Sequence, residues 1–152
     1  MLPAVISVHF ACLCGVENEH VLSIESDRVY SNAVVTALIS LHQWPNNPGH
    51  VIIIPNRHFE NIFDLPLEVA THIHDTARRF ALIMKKVYGC DGISTRQHNE
   101  PAGNQDVWHY HLHLFPRYTN DNLYGSLKCL MPASERAVYA QRLRSGLLRS
   151  GL

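Results

Sequence analysis

"HYHLHLFPR", residues 109–117, sets a histidine at every second position and closes on proline and arginine. Side chains alternate between the two faces of a strand. His109, His111 and His113 therefore share one face, and Tyr110, Leu112 and Leu114 take the other. The leucine face reads as core-facing, which commits the imidazoles to the accessible side of an antiparallel sheet. Three readings fit that side. The rings can ligate a metal, since neutral imidazole is a common zinc ligand. One ring can be a nucleophile while its neighbours orient it or hold an electrophile's oxygens. Or the strand is a surface strand whose imidazoles do no chemistry. Three successive same-face positions span ~13 Å at ~3.3 Å per residue. That is too wide for all three to meet one zinc at ~2.1 Å without distorting the strand.

The flanking sequence supplies the other elements. "GISTRQHN" reads as a strand and "EPAGNQD" as the turn that leads into a triad strand "VWHYHLHLF". Upstream, "VIIIP" is a short buried strand after the loop "WPNNPGH", and "RVYSNAVVTALISLH" is two strands or one interrupted strand. Asp64 reads as a helix N-cap with Pro66 in the first turn. Val69, Ile73, Thr76, Phe80, Ile83, Met84 and Val87 recur at helical spacing to about Tyr88, and Gly89 ends the run. Arg78, Arg79, Lys85 and Lys86 mark the solvated side of that helix. A last helix covers about Ser134 to Leu143, capped by Ser134, within a helical extension of about 133–148. The order gives an α+β domain: an antiparallel sheet of about five strands, one long helix and a shorter C-terminal helix. Residues 1–152 form one such domain.

Composition narrows the function. The 152 residues carry 13 Lys plus Arg against 13 Asp plus Glu, so the chain lacks the basic excess of a duplex-binding domain. A nucleotide ligand would be a small one. No stretch approaches the ~18 apolar residues of a membrane span. The start, "MLPAVISVHFACLCGV", is apolar but has no basic n-region, contains His9 and lacks an A-x-A-like site, so it does not read as a secretory signal. Four cysteines are too sparse for a disulfide framework at this length, and reduced thiols in a cytoplasmic protein are the expectation.

Together, "PGHVIIIPNRH", "HNEPAGNQDVW" and "HYHLHLFPR" resemble the histidine-triad family of nucleotide hydrolases and transferases, over about residues 14–118. That resemblance implies a homodimer built by pairing long helices and central strands. It implies cleavage at the α-phosphate of a purine nucleotide conjugate, with no cofactor required. The candidate conjugates are a dinucleoside polyphosphate, a nucleoside phosphoramidate or an adenylylated small molecule. His111 would be the nucleophile and form a nucleotidyl-histidine intermediate, while His109 and His113 flank the phosphate. His50 matches the family's fourth histidine. Asn99, with Gln97 as rival, together with Gln105 and the backbone from Gly103 to Gln105, would contact the phosphate. Arg117 and Arg96 would meet a polyphosphate tail. A nucleotide-binding or zinc-stabilised interaction protein with little turnover is the alternative.

Three departures from the family's pattern matter. Asp106 stands where many members have a serine or threonine, and it is expected either to orient a histidine or to protonate a leaving group. The usual ribose-gripping acid is missing near His42, which leaves Leu41, Trp44 or Phe10 for the base pocket. The zinc set of some members would fall on Cys14, His58 and His109, but here the cysteines read C-x-C, with Ala11 at the first cysteine position. That spacing is a poor zinc chelate.

Overall fold

Residues 25–150 are described by the computed structural model. Cys12, Cys14 and Phe10 lie outside them. In chain order, the strands are β1 (Arg28–Ser31), β2 (Val35–Ile39), β3 (His42–Gln43), β4 (Val51–Pro55), β5 (Gly92–Arg96), β6 (Leu112–Arg117) and β7 (Cys129–Leu130). The helices are α1 (Leu67–Tyr88) and α2 (Ala133–Ser150). Five strands form one antiparallel sheet in the order β1-β2-β4-β6-β5, and β3 pairs with β7 as a separate ribbon. The α+β class expected from the sequence holds.

Local chemistry explains the breaks. The Asn32 side-chain oxygen accepts the N–H groups of Val34 and Val35, both at 2.8 Å, and this turn splits the 28–42 run into β1 and β2. Asp64 does not cap α1. Its carboxylate accepts the Glu60 and Asn61 N–H groups at 3.3 Å, while Pro66 occupies the N-cap position. The residue that precedes proline is pushed away from helical geometry, which keeps Leu65 out of the helix, and Pro66 itself is extended at ψ 144°, so α1 starts at Leu67. Gly89 closes α1 as expected, at φ 68° and with its N–H on the Lys85 carbonyl.

One face of the sheet packs on α1. Val35, Ala37, Ile39, Val51, Ile53, Leu112 and Leu114 meet Ile73, Ala77, Phe80, Ile83 and Met84 in a buried cluster. The leucines of the triad segment therefore point inward, and the alternation leaves His113 on the opposite face. The C-terminal helix α2 starts at Ala133, so Ser134 lies inside its first turn and does not cap it. It runs past Leu143 to Ser150, and Gly146 lets it lie close to α1. A Cβ at Gly146 would stand 2.7 Å from Val87 Cγ2 and 2.8 Å from Ile83 Cγ2. Its other anchor is a buried two-pronged pair, Arg136 Nε and Nη2 to the Asp27 carboxylate at 2.9 and 3.0 Å.

The triad segment departs most from expectation. Regular pairing begins only at Leu112, and residues 107–109 form a bend. The β4–β6 register pairs Ile53 with Leu112, so two steps further Pro55 would face Tyr110. Proline has no N–H to give a ladder. Tyr110 instead donates its N–H to the Phe59 carbonyl at 2.7 Å. Only His113 of the three histidines lies in the strand.

Candidate active site

His50 is fixed by its backbone before its ring does anything. Its N–H donates to the Gln43 side-chain oxygen at 2.9 Å, and its carbonyl accepts Ser40 N–H at 3.0 Å. The preceding Gly49 sits at φ 87°, and a Cβ there would fall 2.7 Å from the Tyr88 ring, so this bend needs glycine. The imidazole stacks on Phe115, with centroids 4.1 Å apart and planes 9° apart, and Trp44 meets it edge-on at 5.6 Å. Burial pushes its pKa down to about 3, so the ring is neutral. Its Nδ1 donates to the His42 carbonyl at 3.2 Å, which leaves Nε2 as an acceptor for His113 Nδ1 at 2.8 Å. The chain of bonds fixes the tautomer of a neutral His113, with the proton on Nδ1 and a bare Nε2. Burial, then the neighbouring His50 and His111 rings, hold His113 well below the usual histidine range.

His111 is 8% exposed and meets His113 edge-to-face at 4.7 Å. Its Nδ1 donates to the His109 carbonyl at 2.8 Å. Burial is the largest influence on the ring and lowers its pKa, against that hydrogen bond and the charge of Asp106, which raise it. The result is a neutral imidazole with its Nε2 lone pair free, the state a nucleophilic nitrogen requires.

His109 faces elsewhere. Its Nε2 donates to the Pro55 carbonyl at 2.9 Å, and its Nδ1 stands 3.3 Å from the Nδ1 of His58. Two nitrogens bound at ~2.05 Å to a tetrahedral zinc lie ~3.3 Å apart, and zinc-ligating histidines commonly give their other N–H to a carbonyl. The pair therefore fits one edge of a zinc tetrahedron. Among the described residues no cluster of three ligating groups surrounds it, and Cys14, the third expected ligand, lies outside them.

The turn residues are engaged with one another. Gln105 is buried. It accepts Glu100 N–H at 2.7 Å and donates to the carbonyls of Glu60 and Val107 at 2.7 and 3.2 Å. The N–H groups of Gly103, Asn104 and Gln105, expected as phosphate donors, bond to carbonyls of Glu100 and Pro101 at 3.0 Å. Asn99 and its rival Gln97 hold each other through their amides, at 2.7 and 2.9 Å. Asp106 is exposed and contacts Lys128 Nζ at 3.3 Å rather than a histidine.

Arg117, expected near a polyphosphate, is spent on Asp121 at 2.7 and 2.8 Å and on Ser94 Oγ at 2.8 Å. Arg96 lies over Phe115 and Tyr124 at 4.8 and 4.6 Å. The structure thus brings His50, His111 and His113 together, sets His109 apart, and adds His98, whose ring is 6.1 Å from that of His113. The sequence signal for His98 is only the histidine clustering over 98–113. Its place beside the triad depends on the β5–β6 register.

Known proteins agree with this architecture. The HIT domain family model matches residues 21–120. An uncharacterized HIT-like protein of Saccharolobus solfataricus is 31% identical over 109 residues, 72% of this chain and 76% of that protein. A bis(5'-adenosyl)-triphosphatase of Dictyostelium discoideum is 28% identical over 109 residues, covering 68% of this chain and 72% of its own length. A solved HIT-like protein from Bartonella henselae superimposes with a TM-score of 0.72 at 29% identity, covering 80% of this chain and 86% of its own. On its motif order, its fold and the family match, the chain belongs to the HIT, or histidine-triad, family.

Proposed function

We propose that the protein is a nucleotide hydrolase or nucleotidyl transferase acting at the α-phosphate of a purine nucleotide conjugate. The observation that carries this reading is His111: Nδ1 is held by the His109 carbonyl and Nε2 is bare. Nε2 attacks phosphorus, the leaving group departs, and water then cleaves the nucleotidyl-imidazole, so one hard displacement becomes two easier ones. The backbone carbonyl holds the proton on the far nitrogen and steadies the imidazolium that forms.

His113 adjoins the phosphate, and His50 sets its tautomer from behind. As a neutral ring His113 accepts a hydrogen bond at Nε2. His109 supports the site through its carbonyl and its bond to Pro55, with no direct phosphate contact. Gln105 and the Gly103 turn pin the wall of the site, and Asn99 closes it toward Ile62, whose N–H it accepts at 2.9 Å. Lys128 offsets the charge that Asp106 would otherwise set against a phosphate. No step passes through a metal.

The name of the Dictyostelium relative supports a dinucleoside polyphosphate among the substrates. A homodimer is part of this reading. The central strands β4 and β6 are hydrogen-bonded on both sides, so an inter-subunit sheet would form through an open edge, and β5 is the edge beside the triad strand.

The test is a panel of α-linked adenosine and guanosine nucleotides, read by turnover and by intact mass. We expect a nucleotidyl adduct on the wild type during turnover, and at least ~1,000-fold less activity in His111→Asn, as for loss of a covalent nucleophile. Tight AMP binding with no turnover by the wild type would favour the nucleotide-binding alternative.

A further inference from the structure

The geometry points to His98 as a further catalytic residue, one that hands a proton from Nε2 to the leaving group and recovers one from the attacking water. This inference rests on the assignment of His111 as nucleophile.

Three observations converge on His98. First, β5 and β6 pair Arg96 with His113, and His98 follows two residues later, just past the end of β5. Its ring lies 6.1 Å from His113 at 71°, and it is an electrostatic neighbour of both His111 and His113. Second, its Nδ1 donates to the Gly103 carbonyl at 2.8 Å, the same device and distance that lock His111 on the His109 carbonyl. Among the described residues its Nε2 has no hydrogen-bond partner. His98, His111 and His113 thus form a set of three rings with Nδ1 bonded internally and Nε2 left over. Third, His98 is half-buried, so its ring can exchange a proton with water.

The other candidates are committed. His109 gives its Nε2 proton to Pro55. Burial and the charge of Arg96 disfavour an imidazolium at His113. Asp106, in the position of the family's hydroxyl, turns out to Lys128. The proton-donating role is therefore left to His98, which follows β5.

The steps balance. The reacting form carries a proton on His98 Nε2 and leaves His111 Nε2 bare. The bond from His111 Nε2 to phosphorus forms, the bond from phosphorus to the leaving group breaks, and the His98 Nε2 proton moves to the leaving atom. Water then attacks phosphorus, the bond to His111 breaks, and the proton released from water goes to His98 Nε2. The net reaction is hydrolysis, with both rings restored.

Leaving-group dependence isolates this role. An alkylamine departs from phosphorus only as its nitrogen gains a proton, whereas 4-nitrophenolate leaves as an anion. We would compare adenosine 5'-(N-alkyl phosphoramidate) with adenosine 5'-(4-nitrophenyl phosphate) on wild type, His98→Asn and His98→Gln. Asparagine keeps a donor near the Gly103 carbonyl, and glutamine keeps one near the position of Nε2, but neither is an acid. For both variants kcat/KM on the phosphoramidate is expected to fall by ~100-fold or more, the size of a general-acid contribution, and on the nitrophenyl ester by under ~5-fold. Equal losses on the two substrates, with thermal midpoints matching wild type, would show a structural role and overturn the assignment. So would equal retention of both activities. Failure of the wild type to turn over either compound removes the nucleophile itself, a different result from a wild type that works beside a variant with no leaving-group bias.

Discussion

In the proposed mechanism His111 can attack phosphorus only while its ring is uncharged, and its neighbours set how far down in pH that condition lasts. Burial lowers its pKa, so the acid limb of kcat/KM should lie below the ordinary histidine range near ~6.5. Two exposed partners of opposite charge act on it from one side: Asp106 raises the His111 pKa and Lys128 lowers it. Asp106→Ala should therefore move the acid limb to lower pH and Lys128→Met to higher pH. Each shift should be about 0.3 unit, as expected of a charge several ångströms away in water. A pH–rate profile of each variant checks this, and shifts in the same direction, or none, would refute it. The sequence identifies both residues but shows neither their pairing nor their distance from the ring.

The helices behave as their periodicity demands, with one exception that packing explains. Glycine in a helix interior ordinarily weakens it by about 1 kcal/mol relative to alanine. At Gly146 the absent side chain is what lets α2 lie against Ile83 and Val87. Gly146→Ala should therefore forgo the usual propensity gain and come out destabilised by about 1 kcal/mol, and Gly146→Val by about 2–3 kcal/mol, the range for overpacking. Val138→Ala, on the exposed side of α2, should stay within about 0.5 kcal/mol. Urea unfolding midpoints measure all three, and a stabilised Gly146→Ala would show that the interhelical gap can relax. The strand boundaries follow similar rules. Asn32 cuts β1 from β2 by a turn that the sequence hints at, whereas Pro55 ends the β4–β6 ladder by a rule visible only once the strands are paired.

Across the protein, the buried imidazoles link stability to pH. His50 is pushed down to about 3, and His109, His111 and His113 are lowered as well, in each case chiefly by burial. In the unfolded chain each titrates near ~6.5. Between those limits the unfolded state binds more protons, so the stability present above pH ~6.5 is lost as pH falls toward the folded values. The slope approaches ~1.4 kcal/mol per pH unit for each histidine held neutral. Asp121, whose carboxyl is held low first by Arg117, adds a loss in the same direction below pH ~4. Denaturant midpoints at pH 7.5, 6.5, 5.5 and 4.5 should fall steadily below 6.5, and His50→Asn should flatten the fall. A profile independent of pH over that range would show that these rings are not buried in solution.

The sequence by itself determined the α+β class, the extent of α1 to Gly89, the inward leucines and the outward His113. It also determined the family, because each of these follows from the order and period of neighbouring residues. The tertiary structure alone decided which nitrogen of each ring is free. His109 is drawn to Pro55 across 54 positions, and His113 is set by His50 across 63. It also decided that the Gly103–Gln105 amides serve their own turn, and that His98 joins His111 and His113. A ring's tautomer and direction depend on the acceptor it meets, and chain folding brings those acceptors from distant strands, where no local pattern can announce them.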